Sequence, residues 1–171
     1  MKASPHGLLM KKLFLVRHAK SPKEGAAFSD RDRPLAERGR RDLEKMGRRL
    51  AKRSIKPDLI LSSPALRTLA TAEGIARCLD YSLKDIKTDD RLYACQADEL
   101  LDIIRTQDDK LKSVLLVGHN PQLADLARRL SGKVGPLPTC SVVEFKFDAE
   151  FWSSVGEFKP AKVKLDRPKK A

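Results

Sequence analysis

Three short apolar runs constrain this chain more than anything else in it: Leu13 to Val16, Leu59 to Leu61 and Val114 to Val117. Each is too short to be a helix and too continuously apolar to be a strand with one wet face. Runs of this kind form strands buried on both faces of a parallel sheet. The stretches between them have helical periodicity. From Ala36 to Lys52, Leu43, Met46, Leu50 and Ala51 share one face, and Arg and Lys residues fill the other. From Ala65 to Leu79, Leu69, Ala72, Ala76 and Leu79 are the inward residues; from Gln122 to Leu130 they are Leu123, Leu126, Ala127 and Leu130. Asp98 to Thr106 predicts a shorter helix and Leu83 to Thr88 a weak strand. Val142 to Phe147 alternates and predicts a strand, with a further one around Val163. Alternating β and α elements predict an α/β fold: a three-layer α/β/α sandwich with a largely parallel central sheet.

The same runs stop abruptly at polar residues. In open α/β sheets, ligands collect at the carboxyl ends of the strands. Arg17 and His18 follow the first run, and His119 follows the third after Gly118. The second runs into Ser62, Ser63 and Pro64, then a helix with Arg67 in its first turn. Ser63-Pro64 fits an N-cap followed by proline at the first helical position, where backbone N–H groups would help hold an anion. A guanidinium offers a planar fork of donors to phosphoryl oxygens. An imidazole can attack phosphorus or carry a proton. Taken alone, Arg17-His18 reads equally well as a solvated strand end, and His119 as a core histidine. Three such strand ends in one sheet arise seldom by chance.

Length and composition bound the rest. At 171 residues the chain is expected to form one domain, residues 12–165, after a loose N-terminal extension over 1–11 and before a mobile basic tail over 166–171. Lys and Arg break every apolar run within a few residues, so no transmembrane span is expected, and Lys11-Lys12 interrupts any signal-peptide core. A cytoplasmic location is the expectation. Cys78, Cys95 and Cys140 are widely spaced, which argues against a disulfide framework and against a zinc site; no metal and no cofactor are expected. The net charge of +12 is concentrated from Glu37 to Arg53 and from Lys159 to Lys170. The simplest reading is a solvated helix face and a basic tail; the sharper one is a surface for nucleic acid or an acidic partner. Only nine aromatics occur and none interleaves with the basic clusters, so no base-stacking platform is expected and nucleic acid is disfavoured.

The stretches Arg17-His18-Ala19, Arg33-Pro-Leu-Ala-Glu-Arg-Gly39, Ser62-Ser-Pro-Ala-Leu-Arg-Thr68 and Gly118-His-Asn-Pro121 together resemble the histidine phosphatase superfamily. The likeness runs from Lys12 to about Phe147, and Arg-His-Ala in place of the commoner Arg-His-Gly resembles the small SixA-type branch of phosphohistidine phosphatases. The resemblance implies a phosphoglycerate-mutase-like fold. It implies that His18 is the nucleophile, that Arg17, Arg67 and His119 bind the transferring phosphoryl group, and that Ser21 touches it too. Many relatives carry a proton-donating Glu shortly after an Arg-Leu pair in the loop past the third strand. Here Arg91-Leu92 is followed by Tyr93-Ala94, and the nearest carboxylates beyond are Asp98 and Glu99. Without an acid an alkoxide leaves poorly, whereas a phosphoramidate nitrogen is protonated more easily. The expected activity is therefore removal of phosphate from phosphohistidine on a protein. The alternatives are a small-molecule phosphomonoesterase, its acid supplied by Asp98, Glu99 or the Asp30/Asp32 loop, and a noncatalytic phosphate- or nucleic-acid-binding module.

Overall fold

The structure, a computed structural model, describes residues 10–23, 28–132 and 134–169. The apolar runs become the centre of a six-stranded sheet. Its strands are β1 (Met10–Arg17), β2 (Leu59–Ser62), β3 (Lys87–Thr88), β4 (Ser113–Gly118), β5 (Val142–Asp148) and β6 (Lys162–Asp166), in the order β3-β2-β4-β1-β5-β6. The helices are α1 (Glu37–Lys52), α2 (Leu66–Cys78), α3 (Ala97–Arg105) and α4 (Gln122–Ser131).

Strand alternation divides the core into two layers. Phe14, Val16, Ile60, Leu115 and Val117 pack against α1 and α2 with Leu43, Met46, Leu50 and Ile75. Leu13, Leu15, Leu61, Val114 and Leu116 face the opposite way, against α3 and α4 with Leu100, Ile104, Leu126 and Trp152. Full burial of each such side chain is worth about 1.5–3 kcal/mol, which explains why both faces of β1, β2 and β4 are apolar. α4 ends at Gly132, whose φ of 74° satisfies the left-handed C-cap.

The sheet is mixed, which corrects the expected largely parallel one. β1 with β4, β4 with β2, and β2 with β3 are parallel, but β5 runs antiparallel to both β1 and β6. β5 and β6 are joined by a short connection over the turn at Trp152–Ser154, and no helix crosses between them. Such a return gives antiparallel pairing. The region expected as a strand over Leu83 to Thr88 is a single 3-10 turn followed by the two residues of β3.

Both expected ends of the domain also shift. Of the extension expected over residues 1–11, Met10 and Lys11 belong to β1; positions 1–9 lie outside the described residues. Lys11 is buried because its ammonium donates to the carbonyls of Asp109 and Leu111. The tail is docked at its start. Asp166 ends β6 and pairs with Arg49 at 2.9 Å, and the same guanidinium donates to the carbonyls of Arg167 and Pro168.

Candidate active site

The carboxyl ends of β1, β2 and β4 open into a pocket of about 530 Å³ whose walls include Arg17, His18, Arg67 and His119. The four residues expected to converge do so. Arg17 is the last residue of β1, and His18 follows with its N–H donated to the Gly118 carbonyl at the end of β4. Cys140, at φ 63°, donates its N–H to the carbonyls of both Arg17 and His18, so the approach to β5 braces this turn from below. Ala19 is fully buried and donates to Thr71 Oγ1, tying the turn to α2. A Cβ on Gly39 would lie 2.2 Å from the Lys20 carbonyl oxygen, so only glycine lets α1 approach the chain leaving His18.

The hydrogen bonds fix how each side chain presents itself. His18 Nδ1 lies 2.8 Å from the Ala19 carbonyl, so that nitrogen carries the proton and donates, and Nε2 keeps its lone pair. Arg17 donates through Nη1 to the Leu137 carbonyl at 2.8 Å, leaving Nη2 without a partner among the described residues. Arg67, almost completely buried, donates through Nη1 to the Asp30 carbonyl. Its Nη2 reaches both Asp30 Oδ2 at 3.3 Å and His119 Nδ1 at 3.4 Å. His119 Nδ1 therefore accepts, and Nε2–H donates to Ser63 Oγ at 2.8 Å. The two imidazoles stand 5.5 Å apart, centroid to centroid.

Burial and surrounding guanidiniums keep both rings neutral. Burial first, and then the charges of Arg67 and Arg17, lower His18 to about 4 against the hydrogen bond to Ala19. Burial first, and then Arg67 and His18, lower His119 to about 3. An unprotonated Nε2 at neutral pH is the state that can attack phosphorus.

Several expectations at this site are corrected. Ser63 does not cap α2: the helix begins at Leu66, and the Ser63 hydroxyl instead accepts from His119. Ser21 is at the wall; its hydroxyl donates to the Pro34 carbonyl and accepts from Arg33 Nη1 at 3.4 Å, which also orders the loop. Asp98 and Glu99 sit on the first turn of α3 and do not line the pocket; Asp98 pairs with Arg129. Among the described residues the only carboxylate in the wall is Asp30. It accepts from Tyr93 Oη at 2.6 Å, from Arg33 Nε and Nη2 at 3.1 and 2.9 Å, and from Arg67. The hydrogen bond from Tyr93 first, and then Arg33 and Arg67, lower Asp30 to about 2. Arg33, Tyr93 and the bracing role of Asp30 were missed. The Arg33-Pro34 pair was visible in sequence, but nothing local says that its guanidinium turns back to the strand end.

A pocket with three arginines, a free imidazole nitrogen and a second imidazole is an anion cradle around a nucleophile, and comparison with known proteins agrees. The chain belongs to the histidine phosphatase superfamily (branch 1), whose family model matches residues 13–103; it is a phosphatase, and in structure it is similar to SixA-type members. Among solved structures it resembles the protein assigned as the phosphohistidine phosphatase SixA of Agrobacterium tumefaciens, 27% identical with a TM-score of 0.76 over 90% of this chain and 97% of that one. A protein histidine phosphatase SixA complexed with tungstate shares the fold, with a TM-score of 0.77 at 23% identity over 92% and 97% of the two chains. An uncharacterised chloroplastic protein of Arabidopsis thaliana is 29% identical over 88% of this chain and 72% of its own. An uncharacterised protein of Mycobacterium tuberculosis is 34% identical over 66% and 67%. No helix among the described residues is long and apolar enough to cross a membrane.

Proposed function

We propose that this phosphatase works through a phosphohistidine intermediate on His18, without a metal, and that its substrate is phosphohistidine carried by a protein. His18 Nε2 attacks phosphorus in line, the bond from phosphorus to the leaving nitrogen or oxygen breaks, and the phosphoryl group passes to the imidazole. Water then attacks phospho-His18, releasing phosphate and restoring the neutral ring. Arg17, Arg67 and His119 stabilise the charge on the equatorial oxygens, the part that metal ions play in many phosphoryl transfers. Arg67 must turn from Asp30, and His119 must release Ser63 so that its Nε2–H points at the phosphate, to do so.

The observation that carries the substrate choice is the state of Asp30. A carboxyl held at about 2 by its donors is ionised at neutral pH and has no proton to give. Tyr93, whose proton is engaged by Asp30, is pushed up from its ordinary value by that same bond. With no protonated carboxyl in the wall among the described residues, substrates that leave easily are favoured: aryl phosphates, and phosphoramidates protonated on nitrogen. The pocket is open, with Lys20, Lys23 and Gln122 at its wall, which suits a side chain presented by a protein better than an enclosed metabolite.

The test is kcat/KM across phosphate esters of graded leaving-group pKa, beside phosphohistidine peptides. General acid help is worth about a hundred- to ten-thousandfold, so alkyl esters should fall behind aryl esters by that order. A flat series with poor turnover of phosphohistidine would replace this reading with a small-molecule phosphomonoesterase.

A further inference from the structure

The amino-terminal end of the sheet, opposite the catalytic pocket, holds a second depression of about 640 Å³. Seven cationic and two anionic side chains line it. Both anions are already engaged. Asp58 accepts the backbone N–H groups of Lys112 and Ser113 at 2.8 and 3.1 Å, and the buried Glu144 pairs with Arg53. The lysines have no such partners. Among the described residues Lys12, Lys146 and Lys162 make no ion pair, whereas Arg49, Arg53 and Arg67 each do.

Sheet register makes this arrangement unusual. Lys12 on β1 is the Cα partner of Lys146 on β5, and Lys146 is the partner of Lys162 on β6. Three lysines thus stand side by side across three adjacent strands, on the face that carries Phe14. Like charges directly opposite one another destabilise a sheet, and this row contains two such pairs. The ordinary explanations reach only part of it. Lysine on an edge strand discourages sheet-to-sheet pairing, which accounts for Lys162 but not for Lys12 and Lys146 on inner strands. Cations near a helix carboxyl end complement its dipole, which accounts for Arg53 after α1 but not for the strand residues.

We propose that this depression is a second anion site, which takes an oligophosphate: a run of linked phosphates, free or as the tail of a nucleotide. Two strand spacings separate the outer lysines, about 9.5 Å, a reach that suits several linked phosphates better than one. Lys56, Lys112 and Lys164 surround the row and add charge; none makes an ion pair among the described residues, although Lys164 stands opposite Glu144, which is engaged by Arg53. The only aromatic residue in the lining, Phe14, is buried in the core, so no ring is offered to a base, and recognition rests on the phosphates. The site is independent of the catalytic chemistry: from Lys12 to Arg17 the strand rises about 17 Å.

Tripolyphosphate, ATP and inorganic phosphate are titrated calorimetrically into the full chain with the catalytic pocket filled by vanadate. One tripolyphosphate should bind per chain, ATP about as tightly, and inorganic phosphate at least about tenfold more weakly, since it meets one lysine contact in place of three. Replacing Lys12, Lys146 and Lys162 together by Gln should weaken tripolyphosphate at least about tenfold, at similar modest worth per contact. Aryl phosphate turnover should hold, and the thermal midpoint should hold or rise as the like-charge pairs disappear. Should the triple variant fail to fold, Lys146→Gln alone breaks both pairs and carries the same test. The proposal is overturned if the variant binds tripolyphosphate as tightly as the parent, if vanadate abolishes binding, if ATP binds while tripolyphosphate does not, or if only a nucleic-acid duplex binds.

Discussion

At the carboxyl ends of β1, β2 and β4, Arg17, Arg33 and Arg67 are aimed by named acceptors: the Leu137 carbonyl, the Pro22 carbonyl and Asp30. At the opposite edge of the sheet, Lys12 of β1, Lys146 of β5 and Lys162 of β6 crowd in register with no acceptor among the described residues to aim them. Both ends are cationic, but only the first is preorganised. Catalysis of phosphoryl transfer depends on charge fixed in position before reaction, because reorganising it during the step raises the barrier. Loose lysines can retain an anion, but they cannot hold a transition state.

The largest expected contrast follows from that difference. Arg17→Ala, Arg67→Ala and His119→Ala should each lower kcat/KM on an aryl phosphate by at least about a hundredfold, the worth of one transition-state contact. Lys12→Ala or Lys146→Ala should change it by less than about twofold, since about 17 Å of strand exceeds the screening length of about 8 Å at physiological salt. Steady-state rates at fixed ionic strength check this, and comparable losses at the two ends would break the comparison.

A second expectation sharpens the electrostatics of the catalytic end. Unperturbed imidazoles protonate near 6.5, but burial holds folded His18 at about 4 and His119 at about 3. Between about 6.5 and 3 the unfolded chain therefore binds more protons than the folded one. Stability contributed by these rings is complete above about 6.5 and is lost as pH falls through about 4 and then 3. An NMR titration of the ring protons should show midpoints near 4 for His18 and near 3 for His119; midpoints near 6.5 would mean a solvated, loosely held site.

The smallest effect concerns Asp30. Its carboxylate is half exposed and competes with a phosphate for Arg67. Asp30→Asn should tighten inhibition by inorganic phosphate about fivefold, on the order of 1 kcal/mol for a partly exposed pair. Weaker inhibition would show that Asp30 mainly aims the guanidiniums.

Periodicity made much of this legible. The buried strands and the inward faces of α4 and of α1, there except for Ala51, which is exposed at the last turn, follow from spacing alone, and Arg17, His18, Arg67 and His119 follow from where the apolar runs stop. What was missed depends on contacts between distant residues. Asp30 reaches Arg67 and Tyr93 because the loop before α1 folds over the strand ends, and no local pattern encodes that path. Asp98 was a candidate acid by its place after Tyr93, but α3 turns it to Arg129. The docked start of the tail hangs on Arg49, more than a hundred residues away in sequence. The direction of β5 did leave a trace: Val142 to Phe147 alternates, as antiparallel strands do, where the parallel strands are continuously apolar.

The central claim is that the phosphoryl group passes through His18. Enzyme mixed with an aryl phosphate is quenched rapidly in alkaline denaturant, which preserves phosphohistidine, then digested and mapped by mass spectrometry. A single phosphoryl group should appear on the peptide carrying His18 during turnover and decay as substrate is exhausted, with the His119 peptide unmodified. Sustained turnover with the His18 peptide unphosphorylated at every time, or with phosphate on His119 instead, would contradict it.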